Sequence, residues 1–93
     1  MVREVNASHI LVNTEDEAKV IMYDVTHGKS FEEVASAKSM CPSGKKGGVL
    51  GWFGRGMMVK EFENATFSMK KGEISKPIKT QFGWHVIKLN DAR

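Results

Sequence analysis

The sequence predicts an α+β domain in which helices pack on one β-sheet. Three observations carry this. Two stretches without glycine or proline, Val5–Val12 and Trp84–Leu89, read as strands near either end of the chain. Two capping-box patterns, Thr14 with Glu17 and Ser30 with Glu33, each precede apolar residues at helical spacing. Between them and the last strand, residues 47–67 hold five of the nine glycines and three of the five phenylalanines, a mixture suited to a surface cavity more than to a core.

Each element has its own justification. In VNASHILV, side chains alternate, so His9 shares a face with Val5, Ala7 and Leu11, opposite Ile10 and Val12. Both faces are apolar, which predicts a central strand and obliges the histidine to find a partner. After Thr14, residues Ala18, Ile21, Met22 and Val25 repeat as one amphipathic stripe, and His27-Gly28 supplies the stop. A second, shorter helix carries Phe31, Val34 and Ala35 and runs to about Ser39. Met40 to Gly48 reads as loop. Leu50–Phe53 is a short strand, and Val59, Phe62 and Thr66 mark a brief helix. Ile74–Ile78 is strand-like, with Pro77 placing it at an edge. In the last strand His85, Ile87 and Leu89 share a face. The two most apolar strands, first and last, are expected to pair at the centre of the sheet. Three helices and four strands result.

Bulk properties narrow the function. A chain of 93 residues is one small domain, burying roughly 60–65% of its unfolded surface. No stretch approaches the ~20 apolar residues of a membrane span, and no signal-like leader opens the sequence. With the single Cys41 excluding an internal disulfide, the expectation is a soluble, cytoplasmic monomer without membrane contact. The net charge of +3 and Lys45, Lys46, Lys60, Lys70, Lys71, Lys76 and Lys79 describe a solvated face; no nucleic-acid module accompanies them, and nucleic acid is not an expected partner.

Several motifs fail on spacing. His27-Gly28-Lys29-Ser30 lacks the upstream glycine of a phosphate loop, since Tyr23 stands there. Gly51, Gly54 and Gly56 are misordered for a dinucleotide fingerprint. His9, His27, Cys41 and His85 show no local metal-ligand spacing, so neither metal nor cofactor is expected.

Three segments together resemble the parvulin-type peptidyl-prolyl isomerases: ASHILV at 7–12, CPSGKKGGVLGWFGRGMMVKEFENATF at 41–67, and GEISKPIKTQFGWHVIK at 72–88. The resemblance runs nearly end to end, so one domain spanning 1–93 is expected, similar to the minimal single-domain parvulins. It implies an FKBP-like α+β fold: a four-stranded antiparallel sheet with four helices, ordered strand, three helices, strand, helix, two strands. The extra helix would be a short turn near Cys41–Ser43. It further implies a catalytic set of His9, Cys41, Thr80 and His85, and a proline-binding set of Leu50, Met58, Val59, Phe62 and Phe82. The implied activity is rotation of X-Pro bonds in folding chains, by a general folding helper acting on proline-containing peptides or unfolded proteins. A non-catalytic peptide-binding or chaperone module using the same cleft is the alternative. Phosphate-requiring parvulins carry an arginine-rich loop after the first strand, where this chain has Asn13-Thr14-Glu15-Asp16. An acidic turn repels phosphoserine, and the apolar rim of Met58, Val59 and Phe82 favours an apolar residue before proline.

Overall fold

The computed structural model describes residues 2–93. Among these, the order is β1 (Glu4–Val12), α1 (Glu15–Thr26), α2 (Phe31–Lys38), a 3-10 turn (Pro42–Lys46), β2 (Val49–Gly54), α3 (Lys60–Ser68), β3 (Ile78–Thr80) and β4 (Gly83–Ala92). The four strands form one antiparallel sheet in the order β2-β1-β4-β3, with β1 and β4 at its centre as their apolar character requires. The expected fourth helix is the 3-10 turn. Pro42 opens it and Gly47 ends it in the left-handed region, so it is too short to accumulate α-helical bonds.

The capping residues act where the sequence places them. Thr14 Oγ1 accepts the Glu17 amide at 3.2 Å, and Ser30 Oγ accepts the Glu33 amide at 3.3 Å. At the far end of α1 the His27 ring donates from Nδ1 to the Tyr23 carbonyl at 2.8 Å. Helices α1 and α2 bury Ala18, Ile21, Phe31, Val34 and Ala35 against Ile10, Val12 and Val86 on one face of the sheet. On the opposite face α3 lays Phe62 against Val5, Ala7, Phe53, Ile87 and Leu89. The alternation within β1 thus divides the molecule into two cores, and His9 and His85 belong to the α3 side.

Two departures from a regular sheet shape the site. In β2, Ala7 pairs with Gly51 and Ser8 with Val49, so Leu50 is an extra residue without a partner. Leu50 and Phe53 are three apart and would face opposite ways in a regular strand. The bulge, with Gly51 at φ +81, brings both to the α3 side. The second departure lies at the opposite edge. The expected strand Ile74–Ile78 does not form; regular pairing covers only Ile78–Thr80, with an isolated bridge from Ile74 to Lys88. Lys76-Pro77 interrupts the ladder because proline has no amide hydrogen. Ser75 repairs the gap: its Oγ accepts the Ile87 amide at 2.9 Å while its own amide donates to the Ile87 carbonyl at 2.8 Å.

Candidate active site

Central strands β1 and β4 carry His9 and His85 side by side on the α3 face, both buried. Their Nδ1 atoms are 2.9 Å apart, and the rings lie nearly parallel with centroids separated by 5.1 Å. Thr80, at the end of β3, places Oγ1 2.7 Å from His85 Nε2 and accepts the Phe82 amide at 3.2 Å. Phe62 stands at right angles to both imidazoles, 5.5 Å from His9 and 5.3 Å from His85. The backbone around His9 is equally fixed. Its amide donates to the Gly48 carbonyl at 2.9 Å, and a Cβ on Gly48 would come within 2.5 Å of the His9 carbonyl oxygen. Only glycine allows the 3-10 turn to close on β1 this tightly.

Counting donors and acceptors orders the protons. One of the two Nδ1 atoms must donate to the other. If Thr80 O–H donates to His85 Nε2, then His85 Nδ1–H donates to His9 Nδ1, and His9 Nε2–H is left as a buried donor without a partner. The reverse order leaves His9 Nε2 unpartnered as well and strands the Thr80 hydroxyl hydrogen. We assign the first arrangement because it leaves fewer groups unpaired. The pKa of both rings is lowered to about 4, for His85 by burial and for His9 by burial together with the neighbouring His85. The pair is therefore uncharged at neutral pH.

In front of the pair opens a cleft of about 510 Å³. His9, Phe62 and His85 line it together with Leu50, Met58, Val59, Cys41 and Phe82. Eight of the nine residues implied by the resemblance thus converge on one cavity. Thr80 is the ninth, and it stands behind His85 without lining the cleft. Leu11, Met40, Pro42 and Met57 also line it and were not among those nine. Leu11 was legible, since it shares the His9 face of β1 at two-residue spacing. Met40, Pro42 and Met57 lie on connecting segments, where no periodicity points a side chain. Phe62 has a double role, being both cleft wall and a member of the α3-side core at 3% exposure.

Ser39 secures the Cys41 side of the cleft. Its Oγ accepts the amides of Leu11 at 3.0 Å and Cys41 at 3.3 Å, and the Met40 amide donates to the Leu11 carbonyl at 2.8 Å. The 39–42 segment is thereby stitched along β1.

An apolar cleft with uncharged hydrogen-bonding groups at its base is suited to holding an extended chain and changing its conformation. The class defined by this fold and site is the parvulin type of domain. A family model described as rotamase, PPIC-type PPIASE domain, matches residues 6–91, and the chain belongs to that family of peptidyl-prolyl isomerase domains. Foldase protein PrsA 1 of Bacillus cereus is 50% identical over 91 residues, covering 97% of this chain and 32% of the relative. The crystal structure of PrsA from Bacillus anthracis superposes with a TM-score of 0.96 at 45% identity, over 99% of this chain and 43% of that one. NmPin, the parvulin of Nitrosopumilus maritimus, gives a TM-score of 0.87 at 44% identity, over 96% of this chain and 97% of NmPin. The chain spans about a third of the length of the curated relatives it matches.

Proposed function

We propose that this domain accelerates cis/trans rotation of X-Pro bonds in peptides and unfolded chains, with an apolar residue preferred before proline and no need for phosphate. The observation that carries the reading is the apolar cleft that Leu50, Met58 and Phe62 line against the neutral His9–His85 pair.

The chemistry needs no covalent step. Rotation about a peptide bond meets a barrier of ~18–20 kcal/mol because the planar form is delocalised, with negative charge on its carbonyl oxygen. Water stabilises that charge, and twisting removes it. An apolar enclosure disfavours the planar amide more than the twisted one, which is differential binding of the transition state. Imidazoles that remain uncharged add no cation that would stabilise the planar carbonyl. Their bonds to one another and to Thr80 hold the cleft base in shape, and Phe62 grips the ring while the rest of the chain turns. Cys41 serves as a polar edge near the substrate carbonyl, not as a nucleophile.

Absence of a phosphate requirement is supported by Glu15, Asp16 and Glu17, which form the first turn of α1 where phosphate-dependent parvulins carry arginines. Catalysed isomerisation of a Leu-Pro peptide tests the activity; no acceleration over the uncatalysed rate would reject it. Faster turnover of a phosphoserine-Pro peptide than of Leu-Pro would reject the specificity. The alternative, a chaperone that binds without catalysing, is favoured by the exposed Met40, Met57 and Phe82 at the cleft mouth. Saturation of the domain by a peptide lacking proline, with no isomerisation of Leu-Pro, would establish it. A monomer in the cytoplasm remains our proposal for its state and compartment; the lone thiol of Cys41, which has no second cysteine for an internal disulfide, supports the compartment. Sedimentation and cell fractionation test these two points. Among the described residues no helix is long and apolar enough to cross a membrane.

A further inference from the structure

One wall of the cleft has little main-chain support. Met57, Met58 and Val59 line it from the segment joining β2 to α3. Among the described residues, no main-chain to main-chain bond outside the helices and strands involves residues 55–58. What ties this segment to α3 is Glu63, the residue after Phe62. Its Oε1 accepts the Gly56 amide at 2.6 Å, and its Oε2 accepts from Arg55 Nη1 at 3.3 Å. The Arg55 guanidinium lies 4.3 Å from the centre of the Phe67 ring, one helical turn beyond Glu63. A further bond anchors the segment to the strand, from the Gly54 amide to Met57 Sδ at 3.4 Å. The Glu63 side chain is only 16% exposed, and its carboxylate makes the bond to the exposed Gly56 amide charge-assisted.

We propose that Glu63 is a positioning residue for the isomerisation: its carboxylate clasps the 55–59 segment to α3 and thereby sets Met57, Met58 and Val59 over Phe62. Glu63 does not touch the substrate; it acts through the wall it holds. The inference rests on reading the cleft as the proline site. It also separates two jobs within α3. Phe62 supplies the floor, and the next side chain fixes the wall at the height that floor requires. Because Gly56 itself is exposed, loss of the clasp returns its amide to water and leaves the core intact.

Three variants and two readouts test this. Glu63→Ala removes the carboxylate. Glu63→Asp keeps the charge but is one methylene too short to reach Gly56, and Glu63→Gln keeps an acceptor at the position of Oε1. Glu63→Asp is expected to raise KM for a Leu-Pro peptide about five- to tenfold with a smaller change in kcat, as loss of apolar grip in ground and transition states requires. Glu63→Ala should do the same, and Glu63→Gln should stay within about twofold of the parent, since the neutral acceptor is retained. The second readout is the methionine methyl NMR spectrum, in which Met57 and Met58 should shift in Glu63→Asp while Met22 and Met69 stay in place. Glu63→Asp with the parent KM and unmoved Met57 and Met58 signals would overturn the proposal, as would Glu63→Gln failing as badly as Glu63→Asp. If the parent domain itself does not turn over Leu-Pro, the proline-site reading fails, and the methyl spectra alone then decide whether Glu63 positions this wall. Should Glu63→Ala not fold, the aspartate and glutamine variants carry the test.

Discussion

Acidification should unfold this domain through two side chains. His9 and His85 ionise near pH 6.5 in an unfolded chain, but burial holds both near pH 4 in the fold. Between those values the unfolded state binds more protons than the native one, so stability rises with pH across the window and is lost as pH falls through it. At pH 5 each ring is almost fully protonated when unfolded and about nine-tenths neutral when folded, a difference of about 2 kcal/mol per histidine relative to pH 8. The pair together costs about 4 kcal/mol, a large part of the 5–14 kcal/mol expected for a chain of this length. Below pH 4 both states are protonated and the histidines contribute no further loss. Urea denaturation at pH 8, 6.5 and 5 measures this. With a slope of roughly 1–1.5 kcal/mol per molar, the midpoint should fall by about 3 M between the extremes. His85→Gln and His9→Gln should each remove about half of the pH dependence, whatever they do to stability at pH 8. Equal midpoints at pH 8 and pH 5, or His9 and His85 imidazole NMR signals titrating near 6.5 in the native state, would refute the reasoning. On the proposed mechanism turnover should stay level from pH 8 to about 5.5, because the pair stays neutral over that range.

Three substitutions probe the rest of the architecture. Phe62→Ala removes a buried ring that is also core and should cost about 3–5 kcal/mol of stability in addition to turnover, whereas Phe62→Leu should fold and lose chiefly turnover of Leu-Pro. A leucine variant with full turnover would remove Phe62 from the proline site. Ser75→Ala leaves the Ile87 amide without its acceptor inside the sheet and should lower unfolding free energy by about 1–3 kcal/mol, read by urea denaturation. Gly51→Ala forces an L side chain into the left-handed region, at about 1–2 kcal/mol, and should raise KM by displacing Leu50; an unchanged KM would show that the bulge does not place that residue.

Much of this arrangement could be read from residue order because it follows from alternation and capping. The face shared by Val5, Ala7 and His9, the opposite face of Ile10 and Val12, and the two helix starts at Thr14 and Ser30 are local consequences of period and side-chain chemistry. The meeting of His9 with His85, 76 residues apart, was legible only as two histidines on strands expected to pair. What escaped were the breaks in regularity. Proline identified the β3 edge, but not that pairing would restart at Ile78 with Ser75 substituting for the missing ladder bond. The glycines of β2 weakened the strand without revealing that Leu50 would be the unpaired residue. Thr80, implied as part of the catalytic set, meets His85 by a hydrogen bond but does not line the cleft, because a two-residue hairpin tip carries Phe82 to the cleft and leaves Thr80 at the sheet edge.

These irregularities are what turn a sheet face into a site. A regular β2 would point Leu50 and Phe53 to opposite sides, and the cleft would lack its Leu50 wall. At the opposite edge the paired stretch Ile78–Thr80 ends in the tip that sets Thr80 on His85 and Phe82 over the cleft. The central pair β1 and β4 stays close to regular through the histidines, from His9 opposite Ile87 to Leu11 opposite His85, and fixes the imidazoles within hydrogen-bonding distance. Precision is therefore demanded at the base and irregularity at the rim. That division accounts for how a small domain keeps a continuous core through Phe53, Phe62, Ile87 and Leu89 while opening an apolar cleft beside it. It also locates the tolerance to change: rim residues such as Met40 and Phe82, both more than half exposed, can vary the chains accepted without disturbing the hydrogen-bonded base.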